Sequence, residues 1–224
     1  MVITLPGARR LFSMLQEAFR HKEKGRQRLR LSKAVHGFLD DFYTLAQDIA
    51  SRPTRIAELI PNPIPTTLGA CDTAGVGIGG IDFIPAIDGS VVPILWRHKF
   101  PEWVQQDLVS FGNPDGSINN SDLELTGSIA HNDVLAQYKD VQERTIHNSY
   151  DNILMVFWQQ KGSMTTTGPA AYLLRLQAFH QRFFRYVPLK DFIPGSSNTI
   201  VNILSRRWDL SDNQLFAFFN SHFP

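Results

Sequence analysis

The sequence predicts an α/β domain preceded by a small helical extension. Three observations support this class: strand-like segments occupy residues 69–99, further strand-like and amphipathic helical segments follow to the end, and a proline-rich stretch at residues 52–65 separates both from two amphipathic segments near the N terminus. The 224 residues are enough to bury one main core.

The N-terminal extension carries apolar side chains at helical spacing over residues 8–21 and 34–49, with Ser32 as a possible N-cap of the second segment. Basic residues are concentrated between them. Prolines at positions 53, 61, 63 and 65 make the following connector extended rather than helical. We therefore expect two helices and place a domain boundary near residue 66.

The overall composition gives more information about the cellular compartment than about the binding partner. Lys and Arg number 22 against 21 Asp and Glu, so the net charge indicates neither the presence nor the absence of a nucleic-acid partner. A single cysteine, Cys71, excludes an internal disulfide and fits a reducing compartment. The sequence lacks an apolar run of the roughly 20 residues needed to span a bilayer. We expect an intracellular protein, cytoplasmic or nuclear, without a membrane partner.

Residues 69–83 predict a tight hairpin with an acid, Asp72, on its first strand. Four glycines follow that acid, at Gly75, Gly77, Gly79 and Gly80. Glycine weakens a strand interior unless another backbone or a ligand comes close, so crowding is expected beside Asp72. On this segment alone Asp72 is either a turn residue or a catalytic carboxylate.

The next segments add a third strand, a helix and a fourth strand. A turn at Asp88 and Gly89 precedes the strand-like residues 91–96. The spacing of Ser121 and Glu124 matches a capping box, which predicts a helix from there to about residue 138. Residues 144–151 predict a strand that ends near Asp151, and a short helix follows.

The last third predicts a long helix over residues 170–186 and a final strand over residues 187–193. The Pro-Gly-Ser-Ser turn at 194–197 leads to a helix containing residues 200–204, and an amphipathic helix closes the chain over residues 215–223. The polar loop at 162–168 contains three consecutive threonines.

Three carboxylates at element ends form a candidate site. Asp72, Glu124 and Asp151 lie far apart in sequence, but neighbouring strands and a packed helix can bring them together. Several converging oxygen ligands are what hard divalent cations require. The alternatives are helix capping by Glu124 and N-capping by Asp151.

Four motifs in order carry a resemblance to a known family. They are CDTAGVGIGG at 71–80, DLEL at 122–125, YDN at 150–152, and FIPG at 192–195 with Asn198 and LSR at 204–206. Together they closely resemble the ribonuclease H domain of eukaryotic retroelement polyproteins, over about residues 67–208. Residues 1–66 resemble the connection segment at the end of the reverse transcriptase, and we expect no polymerase activity.

The resemblance implies a ribonuclease H-like, five-stranded mixed sheet flanked by helices. It divides the chain into a helical connection segment at 1–66, a ribonuclease H-like domain at 67–210 and a C-terminal helix at 211–224. The family's nucleic-acid partner is an RNA–DNA hybrid, and its cofactors are two Mg²⁺ (or Mn²⁺) ions.

Four acids are also implied, as catalytic residues and metal ligands. Asp72, Glu124 and Asp151 match three of them, whereas Asn202 stands at the fourth position. An amide offers one oxygen but no negative charge. Two functions therefore stay open: an endonuclease that cuts the RNA strand of hybrids, and an inactive retroelement relic that binds nucleic acid or a protein partner.

Further polar residues have weaker assignments. Arg175, Arg182, Arg206 and the threonines at 165–167 are candidate contacts to a nucleic-acid backbone, with a solvated surface position as the alternative for each. His131 shares a helix stripe with Glu124 and is expected to be a surface histidine rather than a metal ligand. Cys71 is expected to be a core residue.

Overall fold

The computed structural model describes residues 32–162 and 168–222, together with residues 15, 16 and 20. The predicted helix over residues 8–21 and the basic segment after it therefore lie largely outside the described residues. The threonines at 165–167 lie outside them as well.

The described chain contains one five-stranded sheet. Its strands are β1 (Thr67–Ala74), β2 (Gly77–Pro85), β3 (Val91–Lys99), β4 (Thr145–Tyr150) and β5 (Val187–Phe192). Their order is β3-β2-β1-β4-β5; β1 pairs antiparallel with β2 and β2 with β3, whereas β4 runs parallel to both β1 and β5. The predicted five-stranded mixed sheet is confirmed.

Seven α-helices are described in these ranges. They are α1 (Lys33–Ser51), α2 (Glu102–Gln106), α3 (Asn120–Tyr138), α4 (Ile153–Lys161), α5 (Pro169–Phe184), α6 (Thr199–Arg206) and α7 (Asp212–His222). The connector after α1 contains a short 3₁₀ helix, Ile56–Glu58, and a second one, Gly195–Ser197, precedes α6. The Ser32 hydroxyl accepts a hydrogen bond from the Val35 amide, so the predicted N-cap of α1 is confirmed.

The helices cover the sheet on both faces. One cluster of buried apolar side chains joins Cys71 and Ile78 to Leu125 of α3, Met155 of α4 and Leu174 of α5. A second cluster joins the other face to α6 and α7 through Ile81, Val201, Leu204, Leu215 and Phe219. The three-layer arrangement leaves the ends of β1 and β4 accessible between the two helical layers.

The capping box predicted at Ser121 and Glu124 is wrong by two residues. Asn119 is the N-cap of α3: its side chain accepts from the Asp122 amide at 3.0 Å, and the Asp122 carboxylate accepts from the Asn119 amide at 3.0 Å. Both pairs have the same spacing, and the earlier one starts the helix. Glu124 is consequently free of any capping role.

None of the described helices combines the length and the apolar character that crossing a bilayer requires.

Candidate functional site

Asp72 lies near the end of β1 and is almost completely buried. Its partner across the hairpin is Gly79. A Cβ atom at Gly79 would lie 2.6 Å from the amide nitrogen of Ser205, so the missing side chain lets α6 pack directly on β2. That approach brings the Ser205 hydroxyl to 2.5 Å from Asp72 Oδ2, to which it donates a hydrogen bond. The crowding expected around Asp72 is confirmed, and the turn interpretation is wrong.

Glu124 lies in the first turns of α3 and is buried against β1. The helix approaches β1 closely because Gly127 has no side chain; a Cβ atom there would collide with the Thr73 hydroxyl. Glu124 Oε2 is buried and has no hydrogen-bond partner among the described residues. Oε2 therefore lacks a donor, although the Thr73 hydroxyl and the Arg206 charge partly offset the rise in the pKa of this carboxyl.

Asp151 follows β4 directly and is partly buried. The alternative role of N-cap belongs instead to Asn152, whose side chain accepts from the Met155 amide at 3.0 Å. Gly195 lies against the Asp151 carboxylate, since a Cβ atom there would be 3.1 Å from Oδ2. Asp151 is thus held at the sheet end without a structural task of its own.

The structure brings the three acids together. One carboxylate oxygen from each of Asp72, Glu124 and Asp151 lies within 4.8 Å of the others, in a cleft that opens between α3, α4 and α6. Burial, then the neighbouring Asp72 and Asp151 charges, raise the pKa of Glu124 to about 9. Burial and the Asp72 charge also raise the pKa of Asp151, while the Arg206 guanidinium opposes the rise. Such a group of acids is destabilised unless a proton or a cation shares its charge.

Asn202 lies on α6 beside this group but takes part differently. Its amide nitrogen donates to the Gly195 carbonyl oxygen at 2.9 Å, and its Oδ1 atom is buried without a hydrogen-bond partner in the described part of the chain. Gly195 lies beside Asp151, and the Asn202 carbonyl oxygen lies 3.2 Å from the Ser205 hydroxyl that donates to Asp72, so two contacts connect Asn202 with the site. The position carries no negative charge.

Ser205 is a site residue that the sequence did not predict, whereas Arg206 was predicted as a contact to a nucleic-acid backbone. The Arg206 guanidinium lies 3.5 Å from Asp72 Oδ2 and lines the acidic cleft, although its side chain is largely exposed. Ser205 lies three residues after Asn202, one helical turn along the same face. That spacing places Ser205 on the side of α6 that carries Asn202, but it does not show that this side packs against Asp72.

Two other predicted nucleic-acid contacts are wrong. Arg182 is buried and forms ion pairs with Glu58 at 3.0 Å and Asp48 at 2.5 Å. Arg175 pairs with Asp41 of α1 and is partly buried. Both arginines attach the N-terminal segment to α5, so their guanidinium groups already have acidic partners within the chain.

His131 is not a surface residue. It is completely buried: its Nε2 atom lies 3.3 Å from Asp82 Oδ1, and its Nδ1 atom accepts from the Trp96 indole at 3.1 Å. The expectation that it does not ligate a metal with Glu124 agrees with these contacts. Cys71 is a buried core residue, as predicted, and burial raises its pKa well above the usual value.

No protein-family model and no curated protein sequence matches this chain. Several solved structures are similar to it. Ribonuclease H1 from the halophilic archaeon Halobacterium salinarum NRC-1 shares 17% identity with a TM-score of 0.40, over 62% of this chain and 91% of that chain. LC11-RNase H1 in complex with an RNA/DNA hybrid shares 13% identity with a TM-score of 0.45, over 62% and 91%.

A longer match is the foamy viral protease-reverse transcriptase in complex with an RNA/DNA hybrid. It shares 10% identity with a TM-score of 0.38, and the alignment covers 88% of this chain but 28% of that chain. At such identities the similarity concerns the fold, which here is defined by the strand order and pairing described above.

Proposed function

We propose that this chain is a metal-dependent endonuclease of the ribonuclease H type, which hydrolyses the RNA strand of RNA–DNA hybrids. The observation that carries the proposal is the convergence of Asp72, Glu124 and Asp151 within 4.8 Å at one end of the sheet. The cleft above them is open, as access by a nucleic-acid backbone requires. The order of the four sequence motifs supports the same assignment.

The donor set fits divalent cations of the Mg²⁺ or Mn²⁺ type. All three ligands are carboxylates, and Glu124 Oε2 is buried without a hydrogen-bond partner among the described residues. Hard cations favour such oxygen ligands. Two bound ions would supply Lewis-acid activation of a water molecule and stabilisation of the leaving oxygen.

The protein's own groups have distinct roles in this proposal. Ser205 donates to Asp72 and fixes the orientation of its carboxylate. Arg206 lines the cleft with an exposed guanidinium, which is suited to contact a phosphate of the incoming strand. Asn120 lines the same cleft and offers an amide to the nucleic acid. Selection of RNA over DNA would depend on 2′-hydroxyl contacts in the minor groove.

A cleavage assay tests the proposal. A labelled RNA–DNA hybrid is incubated with the protein and Mg²⁺ or Mn²⁺, and single-stranded RNA and duplex DNA serve as comparison substrates. We expect cleavage of the RNA strand of the hybrid, lost at least a hundred-fold in Asp72→Asn. The control variant Asp209→Asn changes an exposed acid paired with Arg207 and should cleave normally. Cleavage that persists in Asp72→Asn would contradict the assignment.

A second candidate function is a catalytically inactive module that binds nucleic acid or a protein. Asn202 favours it, because the fourth acidic position then lacks a charge and its amide is engaged with the Gly195 carbonyl. This candidate predicts that the natural protein and Asp72→Asn both bind the hybrid and that neither of them cleaves it.

The variant Asn202→Asp separates the two candidates. If the remaining site is competent, the added carboxylate should raise hybrid cleavage by about ten-fold or more, since it adds charge beside Asp151. The control is Asp133→Asn, because Asp133 lies in the second half of α3, beside His180 and away from the acidic cleft. Asp122→Asn is unsuitable as a control, because loss of the α3 cap would weaken the helix. Absence of cleavage in both the natural protein and Asn202→Asp would favour the binding module.

We also propose a retroelement origin, with residues 1–66 as the connection segment of a reverse transcriptase, residues 67–210 as the nuclease domain and residues 211–224 as a C-terminal helix. The motif order and the helical character of α1 support this division. The ion pairs of Arg175 and Arg182 would then attach the connection segment to the nuclease domain.

A further inference from the structure

A second cavity lies along the edge strand β5. Its volume is about 590 Å³, and it shares no lining residue with the acidic cleft. Its walls come from the end of α4, the inner face of α5, strand β5 and the prolines Pro63 and Pro65 of the connector. A cavity of this size is in the range of small-molecule sites.

The cavity is lined by a largely buried lysine, Lys190, that has no counter-charge among the described residues. Lys190 lines it and is 6% exposed, yet none of the described residues accepts a hydrogen bond from its amine or forms an ion pair with it. Burial lowers the pKa of Lys190 to about 7. Neighbouring Asp191 does not serve as partner, because it pairs with His147 at 2.8 Å. A buried amine without a counter-charge favours its neutral form, so an anion that reaches it would stabilise the charged form and gain an ion pair.

A second polar group in the same cavity is also unsatisfied. Gln177 of α5 is 7% exposed, and its Oε1 atom is buried without a hydrogen-bond partner among the described residues. Gln159 differs, since its amide donates to the Ser128 hydroxyl at 2.8 Å. The cavity thus contains one amine and one amide oxygen, those of Lys190 and Gln177, that have no partner among the described residues.

The described lining carries two lysines, Lys161 and Lys190, against one acid. Asp191 lies 2.8 Å from His147 Nε2, and Lys161 lies exposed above the Phe157 ring at the end of α4. Asp191 is the one acidic residue among the described lining residues. A cationic, partly apolar cavity with one free acceptor fits an anion that also carries a hydrogen-bond donor.

We propose that this cavity binds a small organic anion, whose phosphate or carboxylate group pairs with Lys190 and whose donor hydrogen-bonds to Gln177. The site is separate from the acidic cleft, and the proposal does not depend on the nuclease function. Phosphate and carboxylate share the required charge, so the test uses both.

Thermal unfolding of the full chain in EDTA, at constant ionic strength, tests the proposal. The probes are inorganic phosphate, adenosine monophosphate and citrate. We expect at least one of them to raise the melting temperature saturably. Lys190→Met keeps the side-chain volume and removes the charge, so the variant should fold. Its affinity for that probe should be lower by about ten-fold or more. Lys99→Met, at an exposed lysine of β3 that does not line the cavity, should bind as the natural protein does.

A direct measurement complements the melting curves. In protein labelled with ¹³C-lysine, a saturating amount of the active probe should shift the Lys190 ε-carbon titration to higher pH and leave that of Lys99, outside the cavity, unchanged. Gln177→Leu should lower the affinity for the same probe several-fold. The proposal is overturned if none of the three probes stabilises the protein, or if Lys190→Met binds them as tightly as the natural protein.

Discussion

Two buried acids of this protein have opposite surroundings. Asp82 lies 3.3 Å from His131 Nε2, and the Trp96 indole donates to Nδ1 of the same ring. An indole nitrogen only donates, so Nδ1 must accept and the proton must reside on Nε2, facing Asp82. Glu124 has no such partner and faces Asp72 and Asp151 instead. Asp82 thus has a ring N–H facing it, although neither of its oxygens makes a hydrogen bond among the described residues, whereas Glu124 faces two further acids whose charge a proton or a cation can share.

The charge of Glu124 should make the metal-free protein less stable as the pH rises. Its pKa is about 9 in the folded chain against an ordinary value of 4.5, so the stabilisation by protonation is complete below pH 4.5 and is lost as the pH rises through 9. Glu124→Gln does not titrate. In EDTA we expect it to exceed the natural protein in free energy of unfolding by roughly 2 kcal/mol or more at pH 8 and by little at pH 4.5.

Denaturant unfolding at several pH values measures this difference. Glu102→Gln, at an exposed position of α2, is the matched control and should follow the natural protein throughout. An equal stability of Glu124→Gln and the natural protein at pH 8 would show that Glu124 is not strained by its neighbours. Glu124→Gln should also lose hybrid cleavage.

At the scale of elements, the contact between α6 and the hairpin decides the geometry around Asp72. Gly79 lies directly opposite Asp72 in the β1–β2 pair, and the α6 backbone fills the space that a side chain would take. The Ser205 hydrogen bond to Asp72 depends on that approach. Glycine has a low strand propensity, but at position 79 it is needed because it lets α6 pack closely on the sheet.

Gly79→Ala should therefore separate α6 from the sheet. We expect a loss of about 1 to 3 kcal/mol in the free energy of unfolding, because a methyl group would overlap backbone atoms of α6. Gly112→Ala is the control, since a Cβ atom there meets nothing within 4 Å. Denaturant unfolding compares the two variants. A Gly79→Ala protein as stable as Gly112→Ala would contradict the packing argument.

A second contact between elements joins the connector to α5. Arg182 is 6% exposed, pairs with Glu58 and Asp48, and donates to the Arg52 carbonyl oxygen. Arg185 also pairs with Glu58, at 2.5 Å. A buried guanidinium with several acceptors is rigidly held, and its removal leaves acids of the connector without part of their compensation.

Arg182→Ala should cost about 3 kcal/mol in the free energy of unfolding, because it leaves buried Glu58 with one guanidinium in place of two. Limited proteolysis should then cut the connector at residues 52–66 faster. Arg207→Ala, which breaks an exposed pair with Asp209, is the matched control and should change stability by less than about 1 kcal/mol. Equal effects of the two variants would show that the connector is not held by Arg182.

Across the whole molecule, local sequence patterns predicted the helices and strands better than they predicted which side chains contact each other. The glycine-spaced hairpin, the Ser32 cap and the strand before Asp151 depend on neighbouring residues, and all three are confirmed. The start of α3 was mistaken because two capping boxes of equal spacing overlap there. Only the packing of Glu124 against β1 distinguishes them.

Partners distant in sequence account for the other errors. Arg182 meets Glu58 across 124 positions, and Arg175 meets Asp41 across 134. His131 meets Trp96 across 35. Helical spacing describes which face a residue occupies but not what that face packs against. The acids of the site were identified through the resemblance, whereas Ser205 became visible only with α6 in place.

The acidic site should couple the stability of the whole fold to divalent cations. Its three carboxylates come from β1, α3 and the end of β4, so binding an ion favours the state in which these elements are assembled. At a Mg²⁺ or Mn²⁺ concentration about 100 times the dissociation constant, the gain is about 3 kcal/mol. For a chain of this length the melting temperature should rise by about 2 to 4 °C per kcal/mol.

Calorimetry in EDTA and in increasing Mn²⁺ measures this coupling, with Asp72→Asn and Asp209→Asn compared at each concentration. The increment should disappear in Asp72→Asn and remain in Asp209→Asn, whose exposed acid lies outside the cleft. It should also be smaller at pH 5 than at pH 8, because the raised pKa of Glu124 makes a proton compete with the cation at low pH. An increment that is the same in both variants, or independent of pH, would mean that the ions bind elsewhere on the protein.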